Sequence, residues 1–199
     1  MRELTYSSSA SLIQLSLSFT MKTRFDSITP TLVSQRKSVH ELCRQFTRSP
    51  SKGNLKRLKA LFCSCGEDVF IEYGFHMDYG DSISIGDRSF INANCTIVDG
   101  AKAAQSEIHI GSDCLIGPNV QLLAVSHDMK PHDRLMKHNY VENIIIGDNV
   151  WLGGSVIVLA GVTIGNNSVV GAGSVVTKSI AENSFYAGNP AIKIRDLSV

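Results

Sequence analysis

Residues 146–176 read IGDNVWLGGSVIVLAGVTIGNNSVVGAGSVV, and within them an aliphatic residue returns at every sixth position. These residues are Ile146, Leu152, Val158, Ile164, Val170 and Val176. A period of six matches neither the 3.6 of a helix nor the 2 of a single strand. It is typical of a parallel β-helix, in which each aliphatic side chain points inward and stacks on its equivalent about 4.8 Å along the axis. We therefore predict an all-β solenoid.

The same register continues upstream of this stretch. It is present at Ile85, Ile91 and Ile97, and again at Ile110, Ile116 and Leu122. We predict that the β-helix occupies residues 67–199 and ends in a C-terminal cap beyond Val176. Two segments interrupt the repeat, residues 99–109 and a polar loop at residues 128–145. Because stability alone gives a solenoid no reason to interrupt itself, we expect the longer loop to have a function.

The N-terminal third lacks the six-residue repeat. Between residues 31 and 46 apolar side chains recur mostly three or four positions apart, which predicts an amphipathic helix. Pro50 and Gly53 break this pattern, and a second helix is predicted at residues 54–62. We expect residues 29–66 to form a small helical cap, and the Ser-rich residues 1–28 to form a disordered leader.

Composition excludes several classes of partner. The formal net charge of the 199-residue chain is +1, without the basic runs that mark nucleic-acid binding. The apolar run near the N-terminus is short and broken by serines, so no membrane span is expected. The five cysteines lack the spacing of a disulfide framework, which favours reduced thiols and a cytoplasmic protein. Cys95 and Cys114 occupy hexad positions and are expected to be buried.

Four motifs stand at the points where the repeat varies. They are YGDSISIGDRSFINANCTIVDG (79–100), SHDMKPHDR (126–134), IGDNVWLGG (146–154) and AGNPA (187–191). In this order they resemble the hexapeptide-repeat acetyltransferase family, and most closely the maltose, galactoside and nodulation sugar O-acetyltransferases. The resemblance implies a left-handed β-helix, acetyl-CoA as co-substrate and a sugar-like small-molecule acceptor. It also implies a closed homotrimer with one site at each interface.

His127 is the predicted catalytic residue. Transfer of an acetyl group from a thioester to a hydroxyl needs a base that takes the hydroxyl proton, and a neutral imidazole is suited to this near pH 7. The catalytic histidine of the resembling family falls on this position. Because the hydroxyl can attack the thioester directly once both substrates are aligned, no nucleophilic side chain is required.

The resemblance also implies residues that bind the acceptor. It assigns hydrogen bonds with the sugar to Asn94, Asp99 and Asp81, and it places Trp151 in the cleft between subunits. Asn92 has a simpler explanation, since Asn tolerates the left-handed backbone of a β-helix corner. The family also places an N-terminal acidic residue in this pocket. Asp26 is the nearest candidate here, although alignment brings Ser27 or Thr29 to the expected place.

A coenzyme A groove is implied along the later coils. The backbone N–H of Gly154 would face the thioester carbonyl, and Ala172 and Gly173 would offer a smooth surface to the pantetheine arm. Thr177 and Lys178 would lie at its far end. Relatives can carry a phosphate-binding Arg at the position of Ile192, so the predicted cations are Lys193 and Arg195.

Three alternatives remain at this level. His127 and His132 resemble two ligands of a zinc-dependent β-helix enzyme, but the third position, near Ile91, is apolar, so no metal is expected. An acetyltransferase that modifies an antibiotic or another xenobiotic hydroxyl would share His127 and the GNPA motif, although it normally has a longer loop and lacks the helical pair. A non-catalytic scaffold would have no need of His127 or Trp151.

Overall fold

A computed structural model describes residues 22–198. Its helices are α1 (Pro30–Arg48), α2 (Lys52–Lys59) and the short α3 (Pro131–Arg134), with one 3-10 turn at Lys102–Ala104. The strands are β1 (Thr23–Phe25), β2 (Ser64–Cys65), β3 (Phe70–Ile71), β4 (His76–Met77), β5 (Ile83–Ile85), β6 (Phe90–Ile91), β7 (Thr96–Val98), β8 (Ile108–Ile110), β9 (Leu115–Ile116), β10 (Gln121–Leu123), β11 (Val125–Ser126), β12 (Asn139–Val141), β13 (Ile144–Ile146), β14 (Trp151–Leu152), β15 (Ile157–Leu159), β16 (Thr163–Ile164), β17 (Val169–Val170), β18 (Val175–Val176), β19 (Ser184–Ala187) and β20 (Ile192–Asp196).

From β2 to β18, the strands enter three sheets in rotation, apart from the excursion at β11 and β12. The first sheet contains β2, β5, β8, β13 and β16; the second contains β3, β6, β9, β14 and β17; the third contains β4, β7, β10, β15 and β18. All the pairings within these sets are parallel. Strands β19 and β20 extend the second sheet, with β20 antiparallel. The predicted stacking of parallel strands is therefore confirmed.

The hexad side chains form the core. Ile146 aligns with Ile110 on one side and with Ile164 on the other, and all three are buried. Cys95 and Cys114 are also buried, which confirms the prediction from their hexad positions. Each inward residue thus covers its equivalents on the neighbouring coils, and the core runs unbroken along the axis.

The corners explain the glycines and asparagines of the repeat. A Cβ on Gly147 would lie 2.2 Å from Oδ1 of Asn166, so no larger residue fits there. Asn149 and Asn167 have φ values of +53° and +58°, a left-handed backbone that Asn tolerates better than most residues. Their side-chain amides form a hydrogen bond of 3.0 Å. The corner residues therefore stack in a ladder, as the core residues do.

The two helices cover the first coil. The Thr29 hydroxyl accepts a hydrogen bond from the Leu32 N–H, and Pro30 occupies the first turn of α1, so this helix has a well-formed N-terminus. Helix α1 buries Val39, Cys43 and Phe46, and it contacts both α2 and β4. The predicted pair of helices is confirmed within a few residues at each end. Between residues 22 and 198, no helix has the length and apolar character that a membrane crossing requires.

The ordered body begins earlier than the sequence predicts. The expected disordered leader extends to residue 28, but Thr23–Phe25 forms a strand that pairs with Asn139–Val141. The reason is that this strand pairs with residues far along the chain, and no local sequence pattern predicts such a pairing. The remainder of that prediction, residues 1–21, lies outside the described residues. The first coil strand, Ser64–Cys65, likewise precedes the predicted start of the β-helix at residue 67.

The long loop divides into two parts. Residues 139–141 pair with β11 and β1 in a small antiparallel sheet, and Val141 is buried. This part of the polar loop therefore folds back on its own chain, because Val141 and the strand hydrogen bonds hold it there. Residues 129–136 form the outer part, and in it Met129, Leu135 and Met136 are exposed.

Candidate active site

His127 follows β11 in the small antiparallel sheet, and its side chain is exposed. Its Nδ1 lies 3.0 Å from the carbonyl oxygen of His138. A carbonyl oxygen only accepts hydrogen bonds, so Nδ1 must carry the proton of this bond. In the neutral ring, the lone pair is then on Nε2. The sheet thus orients an imidazole whose Nε2 can take a proton.

A hydrogen-bond network connects the strand opposite His127 to the helical cap. Asn139 donates from Nδ2 to the Ser27 hydroxyl at 2.7 Å. Arg36, on α1, donates to the Ser27 carbonyl at 3.4 Å and to the Tyr79 hydroxyl at 2.7 Å. Of these residues, only Ser27 is indicated by the sequence; Asn139, Arg36 and Tyr79 join it through the fold. Arg36 had a usable signal, since it lies three positions before the apolar Val39 and so shares its inward face.

Asp99 does not occupy an acceptor site. Its side chain is fully buried, and its carboxylate accepts hydrogen bonds from the backbone N–H groups of residues 78, 79 and 80 at 2.8–3.0 Å. Burial raises its pKa to about 6, although these three donors act in the opposite direction. A carboxylate enclosed in this way offers no surface to a sugar. The structure therefore gives Asp99 a structural role, the bracing of the turn at residues 78–80, in place of the predicted contact.

Asp81 is engaged by its own chain. One carboxylate oxygen accepts from Nε2 of Gln35 at 2.8 Å, and the other accepts from the backbone N–H of Lys102 at 2.9 Å. Asp81 thereby connects α1 to the 3-10 turn of the first excursion. An acceptor that bound to Asp81 would have to share or replace one of these contacts.

The structure reverses the predictions for Asn92 and Asn94, the two asparagines of the NAN sequence. Asn94, and not Asn92, has the left-handed corner backbone, with φ of +60°. It lines a depression of about 380 Å³ together with Arg44 and His76. Asn92 instead lines a larger cleft, of about 770 Å³, which is described next. Its explanation as a mere corner residue is therefore wrong, and only the phase of the coil could have shown this.

The main cleft, of about 770 Å³, lies along the outer face of the second sheet. Its wall is a ladder of apolar residues from successive coils, in register as Phe90, Leu115, Trp151, Val169 and Phe185. Trp151 is 53% exposed, as expected for a side chain directed away from the core. Of the predicted groove residues, Gly154, Ala172 and Arg195 line the same cleft. His127 is not among the residues that line it.

Gly154 and Gly173 form consecutive rungs beside the cleft. The Gly173 N–H donates to the Gly154 carbonyl at 2.9 Å. Gly173 has φ of +71°, and a Cβ there would meet nothing within 4 Å. Glycine at this position is therefore explained by backbone conformation and not by crowding. Thr177 and Lys178 are exposed a few residues further along the chain, outside the cleft lining.

The two predicted phosphate-binding cations differ in their surroundings. Arg195 lines the cleft, and its guanidinium lies 5.8 Å from the centroid of the Phe185 ring. Lys193 forms an ion pair of 2.6 Å with Asp196, and this hydrogen bond raises the pKa of its ammonium group. Arg195 is therefore the better placed of the two for an anion in the cleft.

One cluster of potential metal ligands lies outside the His127 region. Within residues 22–198, the one group of three side chains that could hold an ion consists of His40, His76 and Asp78. It includes neither His127 nor His132.

Comparison with known proteins agrees with this architecture. Residues 143–178 match the family described as bacterial transferase hexapeptide (six repeats). A galactoside O-acetyltransferase of Escherichia coli strain K12 is 41% identical over 143 residues, which are 71% of this chain and 67% of that protein. A maltose O-acetyltransferase of Clostridium difficile 630 superimposes with a TM-score of 0.82 at 34% identity, over 88% of this chain and 93% of that one.

A second solved structure includes a ligand. It is a hexapeptide-repeat acetyltransferase of Vibrio cholerae, complexed with acetyl coenzyme A, and its TM-score is 0.81 at 34% identity over 88% of this chain and 93% of that one. Such coverage defines the class, an enzyme that transfers acyl groups. The chain belongs to the hexapeptide-repeat acetyltransferase family.

Proposed function

We propose that this protein transfers an acetyl group from acetyl-CoA to a hydroxyl of a sugar or sugar-like acceptor, with His127 as general base. The observation that carries this proposal is the His127–His138 hydrogen bond, which leaves the Nε2 lone pair on an exposed side chain. The named relatives support the acceptor class, since they act on galactosides and maltose.

The reaction needs no covalent enzyme intermediate. Nε2 of His127 removes the proton of the acceptor hydroxyl while its oxygen attacks the thioester carbonyl carbon. The tetrahedral intermediate then expels the coenzyme A sulfur, which takes the proton back from the imidazolium. The Gly154 N–H is proposed to stabilise the negative charge on the carbonyl oxygen. The products are the acetyl ester and free coenzyme A.

The cleft is proposed to bind acetyl-CoA. Its apolar ladder suits the pantetheine arm, and neither Ala172 nor Gly173 has a side chain that would obstruct it. Arg195 would bind a phosphate group, with Lys193, Thr177 and Lys178 as further contacts toward the nucleotide end. The acetyl coenzyme A complex of the Vibrio cholerae relative supports this assignment.

The acceptor is proposed to lie near Trp151, between His127 and the end of the cleft that Asn92 lines. The Ser27–Arg36–Asn139 network borders His127 and offers hydroxyl, guanidinium and amide groups that sugars commonly bind. Asn94 and Asp81 remain predicted acceptor contacts. Asp81 is already hydrogen-bonded within its own chain, and Asn94 lines a separate depression.

We propose a left-handed coil and a closed homotrimer, as the resemblance implies. A ladder of partly exposed apolar residues along one face of a protein is typical of an interface. Met129, Leu135 and Met136 add an exposed apolar tip beside the His127 sheet. In this assembly the His127 of one chain would face the cleft of its neighbour. All five cysteines are free thiols, which supports function in the reducing cytoplasm.

The test is a screen of acceptors with detection of the thiol that acetyl-CoA releases. Galactosides, maltose and other sugars should release thiol and form an O-acetyl ester visible by mass spectrometry. His127→Ala should abolish nearly all of this activity, whereas His132→Ala on the same loop should retain it. Transfer confined to non-sugar hydroxyls would replace the acceptor class. Loss of activity in His132→Ala, with retention in His127→Ala, would contradict the proposed base.

A further inference from the structure

Three side chains converge where α1 crosses the first coil. Met77 of β4 points into the core and is fully buried, so its neighbours His76 and Asp78 both point outward, beneath the helix. His40 reaches them from α1, where the buried Val39 and Cys43 hold its turn against the coil. The potential ligand atoms of His40, His76 and Asp78 all lie within 4.8 Å of one another.

Both imidazoles lie close to the same carboxylate oxygen. His40 Nε2 lies 2.9 Å from Oδ1 of Asp78, and His76 Nε2 lies 3.9 Å from the same atom. The ring centroids are 4.5 Å apart. The two ring nitrogens and the Asp78 oxygen are therefore grouped as the ligands of a single ion would be.

The separation of these atoms suits a transition-metal ion. Zinc–nitrogen bonds of about 2.0–2.1 Å place tetrahedral ligands roughly 3.3 Å apart, so small side-chain rotations would close the group around an ion. Two imidazoles and one carboxylate favour Zn²⁺, Co²⁺ or Ni²⁺ over Mg²⁺ or Ca²⁺, which prefer oxygen ligands. His76 is 42% exposed, so water could complete the coordination.

One nearby charge opposes a cation. Arg44 lies close enough to lower the pKa of His76. Its guanidinium is paired with Glu41 at 2.9 Å, however, and Glu41 also contacts Arg48 at 3.1 Å. The carboxylate thus offsets part of the positive charge beside the site.

We propose that His40, His76 and Asp78 form a binding site for a Zn²⁺-class ion that clamps α1 to the first coil. This site is separate from the His127 chemistry, which needs no metal. No hexad spacing relates these three residues, so the repeat pattern around His127 does not reveal them. The three ligands are instead brought together by the packing of a helix on a strand 36–38 residues away in sequence.

The test is titration of the full-length, chelator-treated protein with ZnCl₂ and CoCl₂. Calorimetry should show one ion per chain, and Co²⁺ should develop visible absorption bands. Affinity should fall at least about tenfold in His40→Ala and in His76→Ala. His109→Ala is the matched control, because His109 lies on another sheet, and it should bind as the wild type does. Zn²⁺ should also raise the melting temperature of the wild type and the control.

The proposal is overturned if the wild type shows no saturable binding near one equivalent, a result that depends on no variant. It is equally overturned if both histidine variants, shown to be folded by circular dichroism, bind as tightly as the wild type. Should either fail to fold, Asp78→Asn serves in its place, since its backbone bond to Asp99 remains.

Discussion

The cleft face and the His127 sheet are built in different ways. The cleft is a product of the repeat: Leu115, Trp151 and Val169 occupy equivalent positions on successive coils and align rung by rung. The His127 sheet joins residues 23–25, 125–126 and 139–141, which no repeat relates. A periodic surface with apolar rungs suits the long, extended pantetheine arm of a donor such as acetyl-CoA. An irregular sheet can orient one histidine and adapt to a particular acceptor.

His127→Ala should distinguish the roles of the two regions most strongly. Turnover should fall by about two to four orders of magnitude, because only the base is lost. The dissociation constant for acetyl-CoA and the melting temperature should remain close to wild type, since His127 is exposed and does not line the cleft. Steady-state kinetics and calorimetry provide the measurements. A comparable loss of acetyl-CoA affinity would show that the two regions are not separable in this way.

Asp99→Asn tests the scaffold beneath both regions. An amide cannot accept from all three backbone donors, so the variant should lose about 1–3 kcal/mol of unfolding free energy at pH 7.5. The pKa of Asp99 is raised to about 6 in the fold from an ordinary 3.8. The additional stability that Asp99 gains from binding a proton in the fold is therefore complete below pH 3.8 and is lost as the pH rises through 6.

The difference in unfolding free energy between wild type and Asp99→Asn should accordingly increase by about 1 kcal/mol when the pH is lowered from 7.5 to 5. Urea unfolding at both pH values measures it. Ser82→Ala is the control: it removes a hydroxyl that bonds to the Asp99 carboxylate and to the Gly100 carbonyl, and it retains the carboxylate. A gap that narrows on acidification would mean that the backbone donors outweigh burial and keep the carboxylate ionised.

Arg195→Ala and Lys193→Ala distinguish the two cations at the cleft. Arg195→Ala should raise KM for acetyl-CoA about tenfold with little change in kcat, because a phosphate contact is lost far from the reacting atoms. Lys193→Ala should have a smaller effect, since Asp196 already holds that ammonium group. Equal effects of the two substitutions would show that the ion pair opens when the substrate binds.

The sequence predicts the coil well because its hexads encode the same contact many times over. Ile146, Leu152 and Ile164 need only their own period to place them in the core. The outward direction of Trp151 follows from that phase, whereas the groove role of Gly154 was implied only by the resemblance. Both residues line the cleft of the single chain. The position of Asp99 could not be predicted, because three backbone N–H groups from the coil before it create its environment. Asn92 and Asn94 differ only in which side of a corner they occupy.

In the proposed trimer, the catalytic base and the thioester groove of each site come from different chains. Inactive His127→Ala chains, mixed with groove-blocked Ala172→Trp chains under conditions that exchange subunits, test it directly. Shared sites predict that about a quarter of interfaces in an equal mixture regain activity, since each needs one intact histidine beside one intact neighbouring groove. No recovery despite demonstrated subunit exchange would contradict the account and place each site within one chain.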